Sequence, residues 1–289
     1  MPASETRQAR RCAALLSHTL NDTTLARYRA LAGALPDGFD VVLLLTDQLG
    51  EAVRACGLDG EAVVLDPADV FLPDYGAKAA SGQVRPGNTD LVMLAFWRRR
   101  PWYDRIWMVE YDVLFPAGPE VLARLDTASE ADLIVAQKLG RRPVGEDRLR
   151  WRAFTVAPGA RERATADTCR HSLFCESRYG ARLFPALDQA YRQGWSGHHE
   201  ATVPSIALCD GLQVDHLNAV AQRALGRPVL SRDRSFRVER CDADDPAFIY
   251  HPVKTERAAE ELLRALRGGG GEGAPGGPGP GWGAFAEVP

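Results

Sequence analysis

Several common signatures are missing from this chain, and each absence narrows what it can be. Its six cysteines (Cys12, Cys56, Cys169, Cys175, Cys209 and Cys241) include no C-x-x-C pair, a pattern that fits thiols in a reducing compartment better than a zinc site or a disulfide framework. No stretch approaches the roughly 20 apolar residues that a spanning helix needs. The basic N-terminus has an apolar stretch, Cys12 to Leu16, that is too short and polar for a signal peptide; its Arg- and Ala-rich start leaves organelle targeting open. Charge of one sign is also lacking. The 35 basic and 38 acidic residues leave a net charge of −3, which speaks against nucleic acid or a polybasic membrane contact as partner. There is no internal repeat and no obvious Gly-rich, basic phosphate loop near the start, Gly76 to Gly87 being a loose candidate. The expectation is a soluble, cytoplasmic protein without a transmembrane segment.

What is present is an alternation of strand-like and helix-like segments. Cys12–Thr19, Val41–Leu45, Ala62–Leu65, Ile106–Val109 and Leu133–Ala136 are apolar runs suited to a sheet covered on both faces. Between them, Thr23 to Leu35, Glu51 to Cys56, a segment after Asn88 and Pro119 to Leu125 carry helical spacing. Strands alternating with helices predict a mostly parallel central sheet flanked by helices, an α/β, Rossmann-like layout. Residues 139–170 are charged and turn-prone and are expected to form long surface loops. Helices are expected again at 182–191, after a cap at Thr202, and from a cap at Thr255 to Arg267. Residues 1–267 are read as one domain, with a nucleotide-binding half over 10–138 and an acceptor-side half over 139–267. The Gly- and Pro-rich residues 268–289 are expected to be disordered.

The most informative stretch is Arg105–Phe115, where an apolar run leads into Glu110-Tyr111-Asp112. In an extended chain side chains alternate, so Glu110 and Asp112 share one side about 6.5 Å apart. Two such carboxylates can converge on a hard cation; buried without a cation or donors they are costly. Ligands in open parallel sheets sit beyond the carboxyl ends of the strands, where this pair belongs. The bland alternative is a solvated strand end, since E-x-D triplets are common.

This block resembles the metal-binding strand end of GT-A-fold glycosyltransferases, with E-Y-D at the D-x-D position. The resemblance implies a nucleotide-diphosphate sugar donor bound through Mn2+ or Mg2+, and a glycan or small-molecule acceptor. Gly197–Pro204 lies where inverting members often place an acidic base, which makes Glu200 the candidate catalytic residue; this chain has E-A where E-D is common. Tyr250–Lys254 resembles the late segment that supplies a third metal ligand, implying His251, with Lys254 at the diphosphate. A hexosyltransferase-like activity, inverting at the anomeric carbon, is the implied function.

Each of these residues also has a plainer reading. Glu200 sits at a helix start, where the dipole favours its ionised form, and can be a base or only a capping acid. His251 can be a ligand or a backbone-bonded histidine, and Lys254 a solvated lysine. Ser17, Thr19, Asp47, Asn88 and Asp90 stand at strand ends and helix starts as candidate nucleotide contacts, places that caps and turns occupy anyway. Trp195, His198 and His199 are candidates for the acceptor side. A zinc site of His198, His199, Glu200 and His251 lacks the i,i+4 spacing of H-E-x-x-H. A nucleotidyltransferase, or a non-catalytic nucleotide- or carbohydrate-binding protein of the same fold, remains an alternative.

Overall fold

The structure, a computed structural model, describes residues 9–46, 49–58, 60–141, 151, 153–230 and 249–268. In chain order the N-terminal half runs β1 (Arg11–Ser17), α1 (Asp22–Ala34), β2 (Phe39–Leu45), α2 (Gly50–Ala55), β3 (Ala62–Val64), α3 (Pro67–Val70), α4 (Thr89–Arg99), β4 (Arg105–Glu110), α5 (Val121–Thr127) and β5 (Leu133–Val135). There follow β6 (Gly140–Arg141), β7 (Arg170–His171), β8 (Glu176–Gly180), α6 (Leu183–Arg192), α7 (His199–Cys209), β9 (Val214–His216), α8 (Leu217–Leu225) and α9 (Glu256–Gly268). The apolar runs read as strands are strands, with ends that differ by at most two residues. Asn21 caps α1 by accepting from Thr24 N at 2.9 Å, and Thr255 caps α9 by accepting from Ala258 N at 3.1 Å.

Seven strands form one sheet in the order β3-β2-β1-β4-β8-β5-β9. All neighbours are parallel except β8, which runs antiparallel to both β4 and β5. The layout is therefore α/β with a mostly parallel sheet. Its two faces are covered by separate apolar clusters, one built around α4, α6 and α7 and the other around α1, α5 and α8. Strands from both halves of the chain share the sheet.

Strand β8 carries no apolar signature, because its residues Glu176, Ser177 and Arg178 are polar and yet wholly buried. Arg178 is tolerated there by Asp126 of α5: its Nη1 lies 3.3 Å from Asp126 Oδ1 and also donates to the Ser129 carbonyl at 2.8 Å. Trp107 Nε1 donates to the same carboxylate at 3.1 Å, and Arg11 Nε lies 3.0 Å from it. A buried ion pair of this kind is held by pairing plus hydrogen bonds.

Helix α7 also begins earlier than expected. His198, not Thr202, is its N-cap, and Pro204 lies inside the helix. Proline has no N–H, so the carbonyl four residues before it loses its helical partner. That carbonyl belongs to Glu200, and it accepts instead from Ser172 N at 2.9 Å. Arg170 N donates to Ser205 Oγ at 3.0 Å, fastening β7 to the same helix. Asn88 precedes α4 but makes no capping bond; its side chain accepts from Arg85 N at 2.8 Å and donates to the Gln83 carbonyl at 2.9 Å, bracing the loop ahead of the helix.

Among the described residues no helix is long and apolar enough to cross a membrane. Asp47, Cys241 and residues 269–289 lie outside the described residues, as do 142–150 and 152 of the expected long loop.

Candidate metal centre and cleft

At the carboxyl end of the sheet the backbone assembles the three proposed ligands. Glu110 is the last residue of β4, where its N–H donates to the Cys175 carbonyl at 2.9 Å. The chain then turns, with Tyr111 N donating to the Leu16 carbonyl at the end of β1 at 3.0 Å. Leu114 and Tyr250 exchange backbone hydrogen bonds of 2.9 Å each, and Val253 N donates to the Asp112 carbonyl at 2.7 Å. This short pairing lays the late segment along residues 112–114 and sets His251 opposite Asp112. Nearly 140 residues of chain separate the two, so only the fold brings them together.

His251 Nε2 lies 3.1 Å from Glu110 Oε2 and 3.3 Å from Asp112 Oδ1. One potential ligand atom from each of the three residues lies within 4.8 Å of the others. Burial alone would depress the His251 pKa, but the hydrogen bonds to Asp112 and Glu110 raise it to about 10. Burial pushes the Glu110 carboxyl above its ordinary range, with His251 opposing. Without an ion the cluster thus holds a proton on His251 between two carboxylates.

Asp112 Oδ1 is buried and, apart from His251, has no hydrogen-bond partner among the described residues. Two carboxylates and one imidazole are a donor set that could hold a divalent metal ion, and the buried Asp112 oxygen is a place for such a cation. Only neutral imidazole ligates, so binding there exchanges the His251 proton for the ion.

A third acid, with no signal in the sequence, stands behind this triad. Glu176 of β8 pairs in register with Val109, next to Glu110, and is 0% exposed. Neither of its oxygens meets a donor in good hydrogen-bonding geometry; the weakly donating Cys175 thiol is the group that leans on it. Burial first, then the charges of Glu110 and Asp112, raise its pKa to about 7, against the Cys175 contact and His251. Its placement depends on strand pairing, and a lone Glu in an unrecognised strand carries no signal for that.

The triad opens onto a cleft of about 570 Å³. One side is formed by Leu16, Ser17, His18 and Thr46 from the ends of β1 and β2, together with Tyr111, Pro252 and Lys254. Val84 to Gly87, Thr89, Leu173, Phe174, His198, His199 and Glu200 line the same cleft. His198 Nδ1 accepts from Glu200 N at 3.3 Å and lies 3.9 Å from Glu200 Oε2. Glu200 lies in the first turn of α7, 8% exposed and lining the cleft. His18 and Tyr111 meet edge to face, ring centroids 5.1 Å apart.

The fold therefore gathers Ser17, Glu110, Asp112, His198, His199, Glu200, His251 and Lys254 around one space. It leaves others away from it. Thr19 bonds locally, its carbonyl accepting from Ser17 Oγ at 2.7 Å. Asn88 serves the loop bracing described above. Asp90 is 0% exposed and paired with Lys78 Nζ at 2.9 Å. Trp195 is 2% exposed, packs edge to face on Phe154, and lines a separate cavity of about 610 Å³ between α6, α7 and residues 158–163.

No family model matches the chain, and no curated protein matches it in sequence. Among solved structures it is similar to an active-site mutant of LgtC, at 10% identity and a TM-score of 0.45, covering 89% of this chain and 95% of that one. It is also similar to 4-diphosphocytidyl-2C-methyl-D-erythritol synthase from Anaerococcus prevotii, at 8% identity and a TM-score of 0.43 over 72% and 86% of the two chains. Mouse xyloside xylosyltransferase 1 is similar at 13% identity and a TM-score of 0.35, over 70% and 81%. Likeness at this level is one of layout, and it assigns no chemistry to this chain.

Proposed function

We propose that the chain is a metal-dependent, GT-A-like glycosyltransferase that moves a sugar from a nucleotide-diphosphate donor to an acceptor hydroxyl. The observation that carries this reading is the meeting of Glu110, Asp112 and His251 within 4.8 Å at the carboxyl end of the sheet, in a cleft that Glu200 also lines. Glu110, Asp112 and His251 would hold Mn2+ or Mg2+. Such an ion supplies charge neutralisation for a diphosphate leaving group, and Lys254 at the rim adds a compact positive charge for it. Ser17, Thr46 and the rings of His18 and Tyr111 form the side that receives the nucleoside.

Of the three acids that line the cleft among the described residues, Glu110 and Asp112 would serve the cation, and Glu200 is the one we assign to take the acceptor's proton. A base must be within reach of the hydroxyl it deprotonates, and Glu200 lines the same cleft as the proposed cation site. With Glu200 as base and no further carboxylate lining the cleft among the described residues, the acceptor would attack directly and the anomeric configuration would invert. His198, bonded to the Glu200 N–H, and His199 line the acceptor side. We place the protein in a reducing, aqueous compartment.

The test is hydrolysis of a panel of uridine-, guanosine- and cytidine-diphosphate hexoses with and without manganese. Manganese-dependent release of nucleoside diphosphate, lost in both Glu110→Ala and Asp112→Ala, supports the reading. Release that ignores those changes, or pyrophosphate formation from nucleoside triphosphates, sinks it.

A further inference from the structure

Lys78 is a buried cation that the chemistry above does not use. Its side chain is 1% exposed and pairs with Asp90 Oδ2 at 2.9 Å, on a carboxylate that is itself 0% exposed. Its ammonium also donates to the Gly197 carbonyl at 2.9 Å and lies 3.4 Å from the Gly87 carbonyl. An ammonium has three donors, and all three are spent, two of them on the loops that enter the wall holding Glu200. Gly87 O accepts again from His199 N at 2.7 Å, tying the same two loops directly. The fit is close: Gly87 has φ +110°, and a Cβ there would stand 2.7 Å from His198 Cδ2. Tyr191 completes the arrangement, donating its hydroxyl to Asp90 and lying 3.3 Å from Thr202 Oγ1, which donates to the His198 carbonyl at 3.2 Å.

Stability alone does not require this pair. Apolar residues of similar volume in place of a buried ion pair are commonly neutral or stabilising, whereas fixing one arrangement is a use such pairs can have. Here the carbonyls that the charge reaches belong to residues 87 and 197, which flank the cap and first turn of α7.

We propose that Lys78 is a positioning residue for the acceptor side of the cleft: anchored by Asp90, it holds the Gly87 and Gly197 carbonyls so that His198, His199 and Glu200 face the cation site at a fixed depth. This rests on the glycosyltransferase reading for its catalytic consequence, while the structural part stands without it.

The experiment replaces both charges at once, Lys78→Met with Asp90→Asn, so that no lone buried charge is left. Three quantities are read: thermal stability, amide hydrogen exchange, and hydrolysis of whichever nucleotide-sugar in the panel the unaltered chain cleaves fastest with manganese. The expected result is stability equal to or above the unaltered chain, with exchange faster by tenfold or more, on the order expected for local opening, at residues 87 and 195–200 and unchanged in β1, β2 and β4. Hydrolysis should show KM within about twofold and kcat down about tenfold or more, the split expected when a reacting group is misplaced but the donor still binds. Gly87→Ala, which leaves both charges in place and presses on His198 from the other side, must loosen the same amides. Unchanged exchange at 195–200 in the paired variant overturns the proposal, as does loss of protection throughout the sheet in both variants. If the unaltered chain cleaves no nucleotide-sugar, the glycosyltransferase reading fails, while the exchange result still decides the role of Lys78.

Discussion

Replacing Glu176 with glutamine removes a titrating group from a position with no exposed surface and no well-formed hydrogen bond. In the unfolded chain this carboxyl titrates at its ordinary 4.5, and in the folded, metal-free protein it is raised to about 7. Below pH 4.5 it is protonated in both states and costs nothing. As pH rises from 4.5 to 7 the unfolded chain releases the proton and the folded one keeps it, so folding loses stability across that window. At about 1.4 kcal/mol per pH unit the loss reaches ~3 kcal/mol, a large share of the ordinary margin of a domain. Glu176→Gln keeps the shape and abolishes the titration. The assay is urea unfolding of chelator-treated protein at pH 5 and at pH 7.5. The fall in unfolding free energy between those values should be smaller in the variant by about 2.5 kcal/mol, the rest of the loss lying below pH 5. Equal pH dependence in the two proteins, or an unaltered chain that gains on the variant as pH rises, would refute the reasoning.

Two further expectations concern the cleft wall and the sheet. Glu200→Gln should lower sugar transfer by about 10²- to 10⁴-fold, the range for loss of a general base, while manganese and nucleoside diphosphate bind as before in calorimetry; a variant with full turnover removes Glu200 from its role. Asp126→Ala leaves Arg178, 0% exposed, without its buried carboxylate and should cost roughly 3–5 kcal/mol in urea unfolding; a loss below about 1 kcal/mol would show that the surrounding carbonyls suffice.

Much of the sheet was legible because its inner strands are buried on both faces and so read as unbroken apolar runs, as in Ala13 to Leu16 and Val42 to Leu45. The Glu110-Tyr111-Asp112 step was legible for the complementary reason, two acids interrupting such a run at a strand end. What stayed hidden depends on partners far away in sequence. Strand β8 looks polar because Arg178 answers to Asp126, 52 residues earlier. Asp90 reads as a helix-start acid open to a ligand until Lys78 is seen beside it. The start of α7 is hidden because Pro204 looks like a first-turn residue, whereas Ser172 satisfies the carbonyl it frees. Trp195, flanked by glycines in sequence, belongs to the core on the far side of α7.

Calorimetric titration of manganese into the chelator-stripped chain with uridine, guanosine or cytidine diphosphate addresses the acidic triad most directly. One ion per chain should bind with at least one of these diphosphates, and Asp112→Ala should weaken that binding about 100-fold or more, beyond the 10- to 100-fold cost of losing an outer-shell partner. Equal manganese binding by both proteins, or none by the unaltered chain with any diphosphate, would contradict a cation held by Glu110, Asp112 and His251.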